Sequence, residues 1–194
     1  MRCLGPLTRL QIQREPLKSG ERPYRRYHPE AIEAVTRLRV GPFGCHGLTD
    51  QGWVMDVHHA EHPRTRQREG LNALSIGFTA HGDLMRQRFG VAMADGIAGE
   101  SLIVQTPEPL SWAQAQQGLE LRTAAGTFAL SRLSIAHPCT EFAHCLLGLE
   151  PNTAEPQALK AALQFLDGGM RGFYGAWEGE AFELALGDEL WGAT

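Results

Sequence analysis

The chain has 194 residues, 43% hydrophobic and 21% charged, which is enough to bury one substantial core and too few for two ordinary domains. Its 18 lysines and arginines against 22 aspartates and glutamates give a net charge of −4, which excludes the overall basic excess typical of nucleic-acid-binding proteins. The charge is unevenly divided, because residues 1–97 hold 14 basic and 10 acidic side chains and residues 98–194 hold 4 and 12. We therefore expect any bound anion to lie on the first half.

The compartment is predicted from the N-terminus and the cysteines. The sequence reaches Arg9 before an apolar run of signal-peptide length forms, and no stretch of about 18 uncharged apolar residues occurs. We expect a cytoplasmic protein with no membrane partner. The four cysteines lack the density and paired spacing of a disulfide scaffold or a zinc ribbon, so reduced thiols are expected.

The first predicted elements are strands. Apolar and polar residues alternate with period two over residues 7–15 and 34–40, which indicates two half-buried strands. The segment 16–29, rich in proline, arginine and tyrosine, is predicted to connect them. The glycine-rich segment 41–52 predicts a long loop, and long loops often carry function.

The middle of the chain predicts alternating strands and one helix. A strand is expected over 71–78, followed by a helix with Thr79 as its N-cap that runs through Phe89 and ends at Gly90. Residues 101–105 predict a buried strand.

The last third predicts two hairpins and a helix. Alternating segments flank a turn at 124–126, and another pair, 171–177 and 182–191, is predicted to form a final hairpin. Residues 155–167 predict a helix with Pro156 near its start. About seven or eight strands and two or three short helices predict a mainly β protein, a strongly curved sheet or barrel with peripheral helices.

Several short segments stand in a defined order: 44–50 (GCHGLTD), 96–102 (GIAGESL), 137–139 (HPC), 171–174 (RGFY) and 187–188 (GD). Together they resemble the MOSC family, the domain named after the C-terminal part of molybdenum cofactor sulfurases. GIAGESL is similar to that family's Gly-x-x-Gly-Glu-Asn-Leu, HPC to its Pro-Cys, and RGFY with GD to its closing Arg-Gly-x-Tyr and Gly-Asp.

The resemblance implies a single MOSC-type β-barrel over residues 1–194, related to the pyruvate kinase barrel domain. Its core would cover about 35–192, after an N-terminal strand and connector in 1–34. It also implies molybdenum cofactor (molybdopterin) binding, and a cysteine that transfers sulfur or ligates molybdenum. Members of the family are linked to the reduction of N-hydroxylated substrates. Two departures stand out: Ser101 replaces the family's Asn, and residues 58–63 do not match its His-Gly-Gly-Pro-Asp segment.

Cys139 is the predicted catalytic residue and molybdenum ligand. It follows a proline that stiffens the backbone, at a point where a strand gives way to irregular chain. A cysteine reacts or binds metal only as the thiolate, which requires a nearby cation or metal, and His137 and His144 are the nearest candidates in sequence. The alternative is that Cys139 is a small buried hydrophobic residue.

The histidine cluster Asp56, His58, His59 and His62 predicts a competing metal site, because imidazole and carboxylate groups at short spacing bind zinc or iron. It lacks the His-Glu-x-x-His order of zinc proteases. The alternative is that these are polar loop residues that hydrogen-bond to one another or to the backbone. A third interpretation is that they form part of a cofactor pocket.

Arg64, Arg66 and Arg68 occupy every second position. In an extended segment their guanidinium groups would therefore lie on the same face and bind a phosphate. A solvated charged face is the alternative. Gly99 has no side chain and allows a ligand to approach the backbone closely. Glu100 would bind a pterin-type ring or orient a ligand; the alternative is that it stabilises its own loop. His137 is expected to shape the same pocket.

Three functions are compatible with these residues. The first is a MOSC-type protein, an oxidoreductase or a sulfur carrier, that acts on a small-molecule substrate with a separate electron or sulfur donor protein. The second is a metal-dependent hydrolase or lyase at the histidine cluster, and the third is a non-catalytic ligand-binding module. Pyridoxal phosphate is not expected, because the only lysines are Lys18 and Lys160 and the chain is too short for an aminotransferase-like portion.

Overall fold

Fifteen strands and four helices form the part of the chain that the computed structural model describes, residues 1–66, 68, 72–90 and 93–193. The strands are β1 (Arg2–Gln13), β2 (Lys18–Ser19), β3 (Arg26–Tyr27), β4 (Ile32–Val35), β5 (Arg37–Gly41), β6 (Gly44–Thr49), β7 (Gly52–Met55), β8 (Leu74–Phe78), β9 (Leu102–Val104), β10 (Leu119–Thr123), β11 (Gly126–Ala129), β12 (Ser131–Ile135), β13 (Phe173–Ala176), β14 (Phe182–Ala185) and β15 (Glu189–Gly192). The helices are α1 (Thr79–Phe89), α2 (Trp112–Ala115), α3 (Thr140–Leu147) and α4 (Pro156–Leu166), and a 3-10 turn covers Pro29–Ala31.

Nine strands form one sheet in the order β11-β10-β15-β1-β9-β8-β13-β12, with β4 also paired to β1. This sheet curls into a nearly closed barrel. A second sheet has the order β14-β5-β6-β7, and β2 and β3 form a separate hairpin. The predicted mainly β, barrel-like fold with peripheral helices is therefore confirmed.

The long strand β1 causes much of the curvature. It pairs in turn with β15, β9 and β4, and its register shifts between Cys3 and Gly5 and again between Leu7 and Arg9. Such bulges bend a strand and increase its twist. A Cβ at Gly5 would overlap the carbonyl oxygen of Gln105, so only glycine allows this close crossing.

The described residues form two apolar cores. The larger one fills the barrel with residues such as Leu10, Leu102 and Phe173. The smaller one packs α1, α3 and α4 together through Met85, Phe142 and other buried side chains.

Local patterns predicted several elements correctly. Helix α1 covers Thr79–Phe89 and ends at Gly90 in the left-handed conformation, with φ of 65°. Thr79 does not cap it; the side chain instead accepts a hydrogen bond from the backbone N–H of Thr106 (3.0 Å). Helix α4 lies within the predicted range, and β10 and β11 form the predicted hairpin.

Three other predictions are wrong. The glycine-rich segment 41–52 contains strand β6 rather than a long loop, because its glycines allow close packing: a Cβ at Gly44 would lie 2.7 Å from the Cα of His59. Residues 34–40 divide between β4 and β5, which belong to different sheets. The final segments do not pair as a hairpin, since β13 pairs with β12 and β8, β14 with β5, and β15 with β1 and β10.

The predicted strand 71–78 is observed as β8, and position 71 lies outside the described residues. Among the described residues, no helix has the length and apolar character needed to cross a membrane.

Candidate functional site

A cavity of about 290 Å³ opens where the end of β1 and the β2–β3 hairpin meet the turns after β7 and the segments that precede β9 and β13. Its lining residues are Gln13, Pro16, Leu17, Lys18, Tyr27, Val57, His58, Arg64, Thr65, Arg66, Asn72, Ala98, Gly99, His137, Arg171 and Tyr174. The volume is near the lower end of the range for small-molecule sites.

Five residues that the sequence nominated line this cavity: His58, Arg64, Arg66, Gly99 and His137. They come from three separate parts of the chain, so the fold and not chain proximity groups them. Glu100 and Cys139 lie beside the cavity lining, next to residues that belong to it.

The basic side of the cavity differs from the predicted row of arginines. Residues 61–66 form turns and a bend, so the extended conformation on which the predicted row of arginines depended is not observed there. Arg64 and Arg66 line the cavity, and Arg68 is exposed and outside the lining. Lys18 supplies a third lining cation, and Arg64 also pairs with Glu15 at 3.1 Å.

Arg171 forms the floor of the cavity and is the most constrained charge in it. Its Nη1 donates to the carbonyl oxygen of His137 (2.6 Å) and its Nη2 to that of Ala98 (2.9 Å). Nη1 also lies 3.9 Å from the Sγ of Cys139. Burial alone would lower the pKa of Arg171, but its neighbours, Cys139 first among them, raise it overall, so the guanidinium stays charged.

Glu100 is fully buried next to this floor. Burial raises its pKa to about 7, although the charge of Arg171 acts in the opposite direction. Its Oε2 has no hydrogen-bond partner among the described residues, and the same holds for the Nε of Arg171. The Cα of Gly77 packs against Glu100, because a Cβ there would lie 2.8 Å from the Cγ of Glu100.

Cys139 is the N-cap residue of α3 and is half-buried. Its backbone oxygen accepts a hydrogen bond from the N–H of Ala143 (3.0 Å), which places the residue at the positive end of the helix dipole. The cation beside it is Arg171 and neither of the histidines that the sequence suggested. In the sequence, Arg171 stood out only as part of the RGFY segment; in the structure it connects the cavity to Cys139.

The histidine cluster is arranged for hydrogen bonding. Asp56 Oδ1 accepts from the backbone N–H of His58 (2.8 Å) and lies 2.9 Å from its Nδ1, and Asp56 Oδ2 accepts from the N–H of Gln13 (2.7 Å). His59 and His62 each accept at Nδ1 from the backbone N–H two residues later. Across the described residues, no group of three or more His, Cys, Asp or Glu is placed to hold a metal ion.

In fold, the chain is similar to the crystal structure of the YuaD protein from Bacillus subtilis. The match covers 95% of this chain and 96% of that one, with 16% sequence identity and a TM-score of 0.57. At this identity the likeness shows the fold alone. No protein-family model matches the chain, and no curated protein matches it in sequence.

Several lining residues were not predicted as site residues from the sequence, among them Lys18, Tyr27, Asn72 and Tyr174. Tyr27 donates its hydroxyl to the carbonyl oxygen of Ile97 (2.7 Å), and burial raises its pKa well above the ordinary value. Lys18 and Tyr27 pair across the β2–β3 hairpin, which places both at the cavity. Predicting segment 16–29 as a hairpin instead of a connector would have identified Lys18 and Tyr27 as neighbours.

The remaining cysteines have different surroundings. Cys45 is buried and donates to the carbonyl oxygen of Ala73 (2.9 Å), and burial raises its pKa well above the ordinary value. Cys145 is half-buried, and burial again raises its pKa. Cys139 is thus the cysteine that lies beside the cavity.

Proposed function

We propose that this protein is a MOSC-type protein that binds a phosphate-bearing pterin cofactor of the molybdenum type in the 290 Å³ cavity. The observation that carries the proposal is the convergence of three lining cations with the Arg171–Cys139 contact at one cavity. Anion-binding and sulfur chemistry are the two properties that such a cofactor requires of its protein.

The residues present fit the phosphate and the ring. Lys18, Arg64 and Arg66 would hold the phosphate, because guanidinium and ammonium groups bind it through charge-assisted hydrogen bonds. Glu100 Oε2 and Arg171 Nε are buried polar atoms without partners among the described residues. Such atoms are costly in a folded protein, and a pterin ring rich in donors and acceptors would satisfy them.

Cys139 would serve as the metal ligand or as a persulfide carrier. Arg171 places a positive charge beside its sulfur, as a metal-binding or persulfide-carrying thiolate requires. When bound, the cofactor would supply two-electron chemistry, for example reduction of an N-hydroxylated small molecule, with electrons or sulfur from a separate donor protein.

The test is elemental and mass analysis of protein expressed in a molybdenum-sufficient host. We expect either molybdenum with an extractable pterin or an added sulfur atom on Cys139. Cys139→Ser should abolish the metal or persulfide, while Cys3→Ser, at an exposed cysteine, should leave it unchanged.

A double variant tests the phosphate site. Arg64→Ala with Arg66→Ala should lower pterin content about 100-fold, since each charge-assisted hydrogen bond contributes about 1.5–3 kcal/mol. Arg37→Ala with Arg88→Ala removes two exposed arginines outside this cavity and is the matched control. Protein that carries no molybdenum, pterin or persulfide would refute the proposal and favour a non-catalytic ligand-binding module.

A further inference from the structure

A second, more open groove of about 810 Å³ lies beside the β2–β3 hairpin and takes no part in the proposed cofactor site apart from sharing Arg64 and Pro16 with it. Ser19, His28 and Glu30 all line this groove. Their side chains are a nucleophile, a base and a carboxylate, the three groups that serine hydrolases combine.

The atoms of these three residues are in the order that acyl transfer needs. Ser19 Oγ lies 2.6 Å from His28 Nε2, and His28 Nδ1 lies 2.8 Å from Glu30 Oε1. In the tautomer with hydrogen on Nδ1, the Ser19 hydroxyl donates to Nε2 and Nδ1–H donates to Glu30. Both contacts are within the distance range for a catalytic nucleophile and its base.

Backbone structure holds the three side chains in place. Ser19 pairs with Arg26 across the β2–β3 hairpin, and the N–H of His28 donates to the carbonyl oxygen of Leu17 (2.8 Å). Glu30 sits in the 3-10 turn that follows directly. A backbone hydrogen bond and the contact with His28 lower the pKa of Glu30, so its carboxylate remains ionised at neutral pH.

We propose that Ser19, His28 and Glu30 form a catalytic centre that hydrolyses small carboxylic esters. Ser19 Oγ attacks the ester carbonyl carbon while its proton passes to His28 Nε2. The carbon–oxygen bond to the alcohol then breaks, and the alcohol leaves with that proton. Water attacks the acyl-Ser19 ester, gives a proton to His28, and releases the carboxylic acid as Ser19 regains its hydrogen. The reaction needs no oxidant or reductant.

The groove favours an uncharged substrate. Of its two arginines, Arg14 is paired with Glu33 at 3.0 Å, and Arg64 belongs to the phosphate site of the proposed cofactor. Part of its wall is apolar, formed in part by Ile32. A small neutral ester fits these surroundings better than a charged one.

The experiment measures hydrolysis of p-nitrophenyl acetate and labelling by a fluorophosphonate probe, with the labelled residue mapped by peptide mass spectrometry. Wild-type protein should show an initial burst of nitrophenol and label at Ser19. Ser19→Ala should lose both, and His28→Gln should slow labelling about 100-fold, the usual contribution of a general base. Ser134→Ala, at another exposed serine, is the matched control and should behave as wild type.

Two results would overturn the inference. One is hydrolysis by Ser19→Ala at the wild-type rate, with circular dichroism showing both proteins folded. The other is probe labelling of Ser134 as fast as that of Ser19. Molybdenum and pterin content play no part in either readout, so failure here is distinct from failure of the cofactor proposal.

Discussion

Replacing Glu100 by glutamine should change how stability depends on pH. Burial raises the pKa of this carboxyl to about 7, against 4.5 for an ordinary glutamate. The folded state therefore holds its proton more tightly than the unfolded chain does. It follows that Glu100 contributes most stability below pH 4.5, loses that contribution as pH rises from 4.5 to 7, and changes little above 7.

The size of the effect follows from the same two pKa values. Between pH 5 and pH 8 the wild-type protein should lose about 2 to 3 kcal/mol at this site. Glutamine has the shape of the protonated side chain and does not titrate. The free energy of unfolding of Glu100→Gln, relative to wild type, should therefore rise by about 2 to 3 kcal/mol between the two pH values.

Urea unfolding at pH 5 and pH 8 measures this difference, and subtracting wild type from variant removes the contribution of every other titrating group. Glu108→Gln, at an exposed glutamate, is the control and should show no such rise. A change below about 0.5 kcal/mol for Glu100→Gln would show that the carboxyl is hydrated or paired in the folded state, and the reasoning from burial would be wrong.

Two further changes test buried groups elsewhere. Burial lowers the pKa of His81 to about 4, and its Nε2 accepts from the N–H of Leu110 (3.0 Å), so this histidine alone should cost the folded protein about 3 kcal/mol as pH falls from 6.5 to 4. The free energy of unfolding of His81→Gln relative to wild type should therefore be about 3 kcal/mol higher at pH 4 than at pH 7 in urea titrations, and an unchanged difference would contradict the assignment. Gly172→Ala should cost more than about 3 kcal/mol, because φ is +88° and a Cβ would overlap the carbonyl oxygen of Ile76. Gly187→Ala, with φ of +90° and open space around it, should cost about 1 to 2 kcal/mol, and equal losses for the two would refute the steric argument.

The parts of the fold that the sequence predicted are those fixed by local patterns. Helix α1 has a glycine stop at its end, and the β10–β11 hairpin has alternating strands around a short turn. Strand β6 could not be predicted in this way. A Cβ at its Gly47 would lie 2.8 Å from side-chain atoms of Ile12 and Val35, so this glycine is required by a packing contact with distant residues. The partners of the last three strands also depend on distant pairings.

In the candidate site, too, residues close together in sequence could be predicted, and residues that act through distant contacts could not. Arg64 and Arg66 were recognised because they stand close together in one segment, and both line the cavity. Arg171 was not predicted as a site residue, because the sequence cannot show that its guanidinium reaches two backbone carbonyl groups and a sulfur from two other segments. The carboxyl that influences it, Glu100, lies 71 positions away in sequence.

The uneven charge of the chain bears directly on how this cavity binds anions. The lining cations Lys18, Arg64 and Arg66 come from the basic half, as expected, but Arg171 is one of only four basic residues in the acidic half. Near pH 7 Glu100 changes from neutral to charged, and a negative Glu100 offsets the field of Arg171 at the cavity floor.

Anion affinity should therefore increase as Glu100 takes up a proton. Sulfate is a suitable probe because it does not titrate in this range. Calorimetry should show severalfold tighter sulfate binding at pH 6 than at pH 8 in wild-type protein, and a smaller pH dependence in Glu100→Gln. All other residues at the cavity are the same in both proteins, so the difference between the two isolates Glu100. If wild type and variant changed affinity equally with pH, the charge of Glu100 would have no part in anion binding, and its burial would serve folding alone.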